Sequence, residues 1–317
     1  MSETQMSVHG DVLSQKNLWI FTAFLAVLLI PAVVYFGYYV LAIVAVSYGA
    51  SLTVELLFAR FRKKKLDASW MVTPLIFALF MPSTLALWIV AVGASFGTLF
   101  AKSLFGGLGK NIFNPAVVGV LFVMISFPQD FMAQWFDPIT GETSPMLPII
   151  KLYAQDDFGY TVSQLMFGGT AGAIGETFRA GILIIGAALI WLKIIDWRIP
   201  VVFLGTLFIG TVIGQFVAPD TFVDPGSTLL VGGAVFVAVF VATDPVTAPM
   251  VSWGKVIYAI GLGFFTLLIR YFAAFPEGVV FAVILMNAIA PLIDTWFESD
   301  VATETQNEIN TKEEVTT

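Results

Sequence analysis

The sequence predicts an all-α integral membrane protein of about ten transmembrane helices, built as two inverted five-helix repeats with broken helices. Three observations carry this. Of 317 residues, 58% are hydrophobic and only 12% charged, with a mean hydropathy of +0.90, about half the charged share of a water-soluble domain. Apolar runs that approach the roughly 20 residues needed to cross a bilayer recur along the chain. They fall five on either side of one long polar segment, and an odd number of spans per half turns a duplicated unit upside down.

Residues Met1 to Asn17 are polar, without a basic region followed by a small-residue cleavage site, and read as a cytoplasmic tail. The first membrane half runs from 18 to 127. Leu18 to Phe36 and Tyr38 to Phe58 form two spans joined by a tight turn at Gly37. Arg60-Phe61-Arg62-Lys63-Lys64-Lys65 follows, and five positive charges beside a span end place that loop, and with it the N-terminus, in the cytoplasm. Trp70 to Met81 is short and carries Pro74, as a half-helix would. Leu85 to Ala101 is the fourth span, ending at Lys102, and Val117 to Phe127 completes the fifth.

The segment 128 to 179 then lies outside: it holds six acidic residues against Lys151 and Arg179. Its Gly/Ala-rich run from Leu165 to Gly175 is too short to cross and reads as a re-entrant or interfacial piece. The second half, 180 to 295, comprises Ala180 to Leu192, Val201 to Val217, Leu229 to Ala242, Val256 to Phe272 and Gly278 to Ile293. An acidic cytoplasmic tail, 296 to 317, has the composition of a disordered segment.

Composition also excludes chemistry. Cysteine is absent, so the chain alone holds no disulfide and no cysteine-ligated iron–sulfur or zinc site. His9, in the N-terminal tail, is the only histidine, which excludes His-ligated haem and a Ser-His-Asp triad. Redox chemistry would come from an organic cofactor or a partner protein. The net charge of -7 owes much to the tail and the acidic loop, and implies no nucleic-acid partner.

Two stretches stand out. Asp137-Pro138-Ile139-Thr140-Gly141-Glu142-Thr143-Ser144 is a polar island, either functional or an ordinary exposed turn. Leu104 to Ala116, with three glycines, Asn111, Asn114 and Pro115, is backbone that turns or unwinds. At membrane depth it either lines a cavity or forms a corner with Asn capping. A weaker echo, Gly232-Gly233 running to Asp244-Pro245-Val246, lies in the second half.

Phe105 to Ala116 resembles the GGxGxNxxNPA signature of the RnfD/NqrB family, Ile174-Gly175-Glu176-Thr177 its IGET signature, and Ala242 to Pro249 its ATDPVTSP signature. Phe275-Pro276-Glu277-Gly278, Leu285 to Ala288 and Pro291 to Asp294 are similar to further family motifs in the family's order, so the resemblance spans about Ala68 to Asp294. Family members are membrane subunits of sodium- or proton-coupled Rnf and Nqr electron-transport complexes. The compact length resembles the RnfD side of the family; Gly109-Lys110-Asn111 resembles the NqrB side.

The resemblance implies a covalent FMN on the threonine of a D-x-x-[ST]-G-A-T-[ST] motif, attached by a separate flavin transferase. Here the motif matches at Asp137, Thr140, Gly141, Thr143 and Ser144, making Thr143 the expected acceptor, but Glu142 replaces alanine. A carboxylate there lies near an incoming phosphate, and like charges repel at short range. Lys110, Asn114, Glu176 and Thr177 are further candidates for cofactor binding. The resemblance also implies noncovalent riboflavin, with no residues assigned, and a bacterial inner-membrane location with both termini cytoplasmic. It implies an enzyme only as one part of an ion-translocating ferredoxin or NADH oxidoreductase, with other Rnf or Nqr subunits, lipid and Na+ or H+ as partners.

Candidate ion-handling groups in or beside spans are Glu55, Lys102, Lys110, Asn111, Asn114, Glu176, Asp244, Arg270, Glu277, Asn287 and Asp294. A charge retained at the bilayer centre costs at least ~2.5 kcal/mol, so it faces a cavity or a partner. Asp244, Glu277 and Asn287 are taken as the ion pathway, although capping and salt-bridge roles fit such positions equally. Two other classes stay open: a flavin-free channel or permease on the same repeat, and a flavin-bearing anchor of another electron-export system that moves no ion.

Overall fold

The computed structural model describes residues 14–63, 66, 68–132, 135–144, 152, 159–273 and 277–297. His9, residues 1–13 of the N-terminal tail and 298–317 of the C-terminal tail lie outside them, as do Lys64, Lys65, Lys151, Asp156, Asp157, Phe275 and Pro276; residues 15–17, expected in the tail, are helical.

Helix α1 spans Gln15–Phe36, started by the Ser14 hydroxyl accepting from the Asn17 N–H. Gly37, at φ +82°, makes the tight turn into α2, Tyr39–Arg62; only a residue without Cβ takes that conformation freely. α3, Val72–Leu79, enters through a 3₁₀ turn and is buried on every side. α4, Leu87–Gly97, continues as a π-helical turn, Thr98–Ser103. α5, Pro115–Ser126, has Asn114 as N-cap and proline at its first position, where the missing N–H costs nothing. A short α6, Pro128–Met132, leads to a two-stranded hairpin, β1 Trp135–Phe136 with β2 Thr143–Ser144.

α7, Val162–Phe167, carries a reciprocal capping box between Thr161 and Gln164. Then come α8, Arg179–Trp191, α9, Arg198–Val217, α10, Pro225–Leu230, and α11, Ala234–Phe240. α12, Ser252–Phe272, and α13, Gly278–Trp296, complete the bundle. Among the described residues, α1, α2, α9, α12 and α13 are long and apolar enough to cross a membrane. Hydropathy expects one span over Leu229 to Ala242. That stretch is instead split at Gly232, φ +73°, into α10 and the fully buried α11.

Packing in the two halves runs in parallel. α4 lies against both α2 and α5, and α12 lies against both α9 and α13. The α4–α5 crossing is glycine-made: a Cβ on Gly97 would strike the Pro115 carbonyl oxygen, and one on Gly119 would come within 2.8 Å of the Gly93 oxygen. Small residues let helix backbones approach this closely. The two halves meet where α5 packs on α13.

The ends of the bundle differ in charge. Arg60, Arg62 and Lys63 close α2, and Lys102, Lys193, Arg198 and Lys255 lie at the same end; exposed Trp19, Trp191, Trp197, Trp253 and Trp296 ring it. Indole at this level is the mark of a membrane–water interface. At the opposite end the described basic residues are Arg179 and Arg270, both buried.

Asp196, in the turn from α8 to α9, accepts from the Arg198 N–H at 3.0 Å, the Arg198 guanidinium at 3.1 Å and the Lys255 ammonium at 3.0 Å. Partial burial favours its neutral acid, but these donors outweigh burial and hold the carboxyl below the usual carboxylate range.

Two outcomes follow. Gly97→Ala must push α4 off α5 and is expected to cost about 1–3 kcal/mol, read as a lower melting temperature in detergent and reduced membrane yield. For Asp196, the unfolded carboxyl titrates near 3.9, so its stabilisation is complete above about pH 4 and disappears as pH falls through the lower folded value. Melting curves from pH 6 to pH 3 should show that loss in wild type, about 1 kcal/mol for so accessible a pair, and not in Asp196→Asn.

Candidate functional site

The hairpin is built by Asp137. Its N–H donates to the Glu142 carbonyl at 2.9 Å, and its own carbonyl accepts from the Gly141 N–H at 2.9 Å. One carboxylate oxygen accepts from the Ile139 N–H at 2.9 Å, an Asx turn; the other accepts from the Tyr160 hydroxyl at 2.6 Å. Burial, then the hydrogen bond and charge of Asp137, raise the Tyr160 phenol above its usual range, so it stays a donor. Gly141 takes φ +71°, and the Thr140 hydroxyl accepts from the Glu142 N–H. Phe136 pairs with Thr143 and Trp135 with Ser144. Asp137 is buried, whereas Thr140, Gly141, Glu142 and Thr143 are exposed. The result is a rigid turn with an accessible secondary hydroxyl beside an exposed carboxylate.

Beneath this end runs a buried irregular segment, 168–177, where the sequence expects a re-entrant or interfacial piece. It finishes α3: the Gly175 N–H donates to the Leu79 carbonyl at 2.7 Å, and the Ile174 N–H to the Met81 carbonyl at 3.1 Å. These are carbonyls a helix end leaves open. The Tyr35 hydroxyl donates to the Phe167 carbonyl, and its ring fills the space where a Cβ on Gly168 would stand. Glu176 accepts from the Ala173 N–H at 3.1 Å. Its carboxylate and that of Glu277 converge on Gly233, whose N–H donates to Glu277 at 3.4 Å. Arg179 is held by the carbonyls of Leu165 and Thr177, and Arg270 by those of Thr228 and Val231. Each of these buried guanidiniums keeps an Nε–H with no hydrogen-bond acceptor among the described residues.

A second polar cluster lies at the basic end, centred on Asn114. Its side-chain oxygen caps α5 by accepting from the Ala116 and Val117 N–H groups, and its amide donates to Asp244 at 3.1 Å. Its backbone N–H donates to the Asn287 side-chain oxygen at 3.1 Å. The Asn287 amide donates to the Thr247 carbonyl and the Tyr258 hydroxyl. Asp244 also accepts from the Thr247 hydroxyl and the Val246 N–H. Pro291 brings no N–H to α13, so the Asn287 carbonyl lacks its usual donor four residues on. Asn114, Asp244, Asn111 and Lys102 line a cavity of about 80 Å3. Lys102 makes a buried ion pair with Glu55, 2.6 Å, under the Thr98–Ser51 hydroxyl bond.

Between the clusters stands α11, apolar and buried throughout. Phe80, Phe236, Phe240 and Phe21 form a chain of ring contacts with centroids 5.0, 5.2 and 5.8 Å apart. Glu277, the N-cap of α13, and Asn287 within it are ten residues apart, about 15 Å along the helix axis.

The expected site residues thus separate into three groups. Asp137, Thr140, Gly141, Thr143 and Ser144 share the hairpin. Glu176 and Thr177 lie in the buried segment with Glu277 nearby; Asn114, Asp244 and Asn287 form one network at the other end, and Lys110 is exposed in the loop before Asn114. Lys110 and Thr143 are at opposite ends of α5, so the structure does not bring them together. Sequence reasoning misses Tyr160, Tyr258 and Thr247. Only Thr247 carries a signal, lying within the Ala242 to Pro249 motif.

A family model described as the NQR2, RnfD, RnfE family matches residues 2–303. The chain is 34% identical over 266 residues to a protein of Acetobacterium woodii named as part of a Na(+)-translocating ferredoxin:NAD(+) oxidoreductase complex, covering 82% of this chain and 81% of that one. It is 36% identical to the counterpart from the proton-translocating complex of Clostridium ljungdahlii, covering 84% and 86%. It is 38% identical to a component of the Na(+)-translocating NADH-quinone reductase of Stutzerimonas stutzeri, covering 81% and 66%. With the motifs from Phe105 to Asp294 falling on the two buried polar clusters, this multi-pass membrane chain belongs to the NQR2, RnfD, RnfE family.

Proposed function

We propose that this chain is the flavin-carrying membrane subunit of an ion-translocating electron transport complex of Rnf or Nqr type, with FMN joined through its phosphate to Thr143. The observation that carries the reading is the hairpin: Asp137 and Tyr160 fix a turn that presents the Thr143 hydroxyl to solvent. The residues fit such a group. A transferase can reach an exposed hydroxyl, Gly141 brings no side chain to the approach, and among the described residues none beyond its chain neighbours stands within 4 Å of where its Cβ would be. Glu142 lies outward, where water screens its charge. When attached, the flavin supplies one- and two-electron chemistry, and the protein contributes tethering and orientation. Noncovalent riboflavin belongs to the same reading.

The basic end faces the cytoplasm under the positive-inside rule, putting both termini inside the bacterial inner membrane and the Thr143 hairpin outside. The parallel packing of α2, α4, α5 and α9, α12, α13 supports ten spans in two inverted repeats. Ion handling falls to Asp244 and Asn287 on one side of the aromatic layer and Glu277 on the other, since an apolar constriction between polar clusters resists hydrated ions until it is wetted. The ion is Na+ or H+; the two ferredoxin-linked relatives are named one for each. Electrons reach and leave the chain through other subunits of the complex.

After expression with a flavin transferase, ultraviolet fluorescence on a denaturing gel is expected from wild type and Thr177→Ala, weakly from Thr143→Ser, and not from Thr143→Ala. A dark wild-type band beside an active transferase substrate sinks the reading. In everted vesicles carrying the whole complex, Asp244→Asn should abolish ion uptake while gel fluorescence at Thr143 stays at the wild-type level; undiminished uptake removes Asp244 from the pathway.

A further inference from the structure

At the basic end, the α8–α9 turn and the start of α12 enclose an open cavity of about 340 Å3. Its charged lining is Lys193, Asp196, Arg198 and Lys255; Thr243 adds a hydroxyl, and Ile194, Ile195, Pro245 and Met250 supply apolar wall. Three cations face one carboxylate, a net charge of about +2. Asp196 is shared between Arg198 and Lys255 at 3.1 and 3.0 Å, so neither cation is fully neutralised. Lys193 adopts φ +57°, a conformation uncommon for a side-chain-bearing residue. It ends α8 with its N–H on the Ile190 carbonyl and its side chain exposed. Around the cavity stand Trp191, Trp197 and Trp253, all exposed, the ring type that settles among lipid headgroups. A basic pocket between helix ends, open to that level, matches a phosphodiester on a lipid better than a solute arriving from bulk water.

We propose that this cavity binds the phosphate headgroup of an anionic phospholipid, with Lys193, Arg198 and Lys255 as its donors. The site shares no charged residue with the Thr143 hairpin or the Asn114 network, and the inference stands whether or not flavin is attached. Arg198 and Lys255 divide their donors between Asp196 and the phosphate, and the tryptophans flank the glycerol region.

The full chain, delipidated in detergent, is titrated with phosphatidylglycerol or phosphatidylcholine and followed by native mass spectrometry. Wild type should retain phosphatidylglycerol and not phosphatidylcholine. Lys193→Gln, which leaves the Asp196 pairs intact, should weaken phosphatidylglycerol binding about fivefold, and Lys193→Gln/Lys255→Gln about 25-fold, since each surface charge contributes a factor of about five. Arg60→Gln/Arg62→Gln, at the same end but outside the cavity, should match wild type. Equal retention of the two lipids, or unchanged affinity in Lys193→Gln, overturns the proposal. So does inorganic phosphate that displaces phosphatidylglycerol and protects the fold equally, which would name a soluble phosphate compound as ligand. Protection of residues 190–199 from hydrogen exchange by another protein of the assembled complex, without co-purified lipid, overturns it as well.

Discussion

Everything in this bundle answers to one constraint: backbone that leaves helical geometry at membrane depth must find partners within the protein. Asn114 meets that constraint for the first half. One side chain caps α5, contacts Asp244 and leaves the residue's own N–H to be satisfied by Asn287 from α13. Neither break could be buried with its polar groups unpaired, since each orphan costs about 1–3 kcal/mol. The segment 168–177 does the same service at the far end by closing the carbonyls of α3.

Those repairs also concentrate the chemistry. Because helices that break bring polar groups together, the two clusters arise where α3 and α11 stop short, and the rings of Phe80, Phe236 and Phe240 fill what lies between. The Glu55–Lys102 pair shows the other solution to burial. Its two charges pair over 2.6 Å, and losing one member of a buried ion pair leaves the other charge less well compensated, typically at about 3–5 kcal/mol. Buried ion pairs in general add little net stability over a well-packed apolar pair, and this one stands beside a cavity that Lys102 lines.

Much of this is legible in the chain itself. The positions of α1, α2, α9, α12 and α13 follow from apolar run length, and the Gly37 turn, the short helix with Pro74 and the Asn114 cap each have a local chemical signature. The break at Gly232 escapes because Leu229 to Ala242 reads as one apolar run, and hydropathy does not register a single residue at positive φ. The hairpin around Asp137 is visible as a polar island. Its clamp by Tyr160 is not, because 23 residues separate the pair and no periodicity links them. Likewise, Lys110 and Thr143 are both candidates for cofactor binding from their separate motifs, yet α5 holds them apart. The polar clusters depend on pairings such as Asn114 with Asn287, 173 residues apart, which only tertiary structure brings together.

That last pairing has a bearing on biosynthesis. The chain leaves the ribosome from its N-terminus, and the first five helices are made and inserted well before residue 287 exists. Until α13 arrives, the Asn114 N–H lacks the Asn287 oxygen to which it donates in the finished fold, so the first half waits in the bilayer with an open polar seam there. Water or the insertion machinery must cover that seam meanwhile. The lock between the halves therefore closes only near the end of translation, and a chain cut short before residue 287 lacks the Asn114–Asn287 contact that joins α5 to α13.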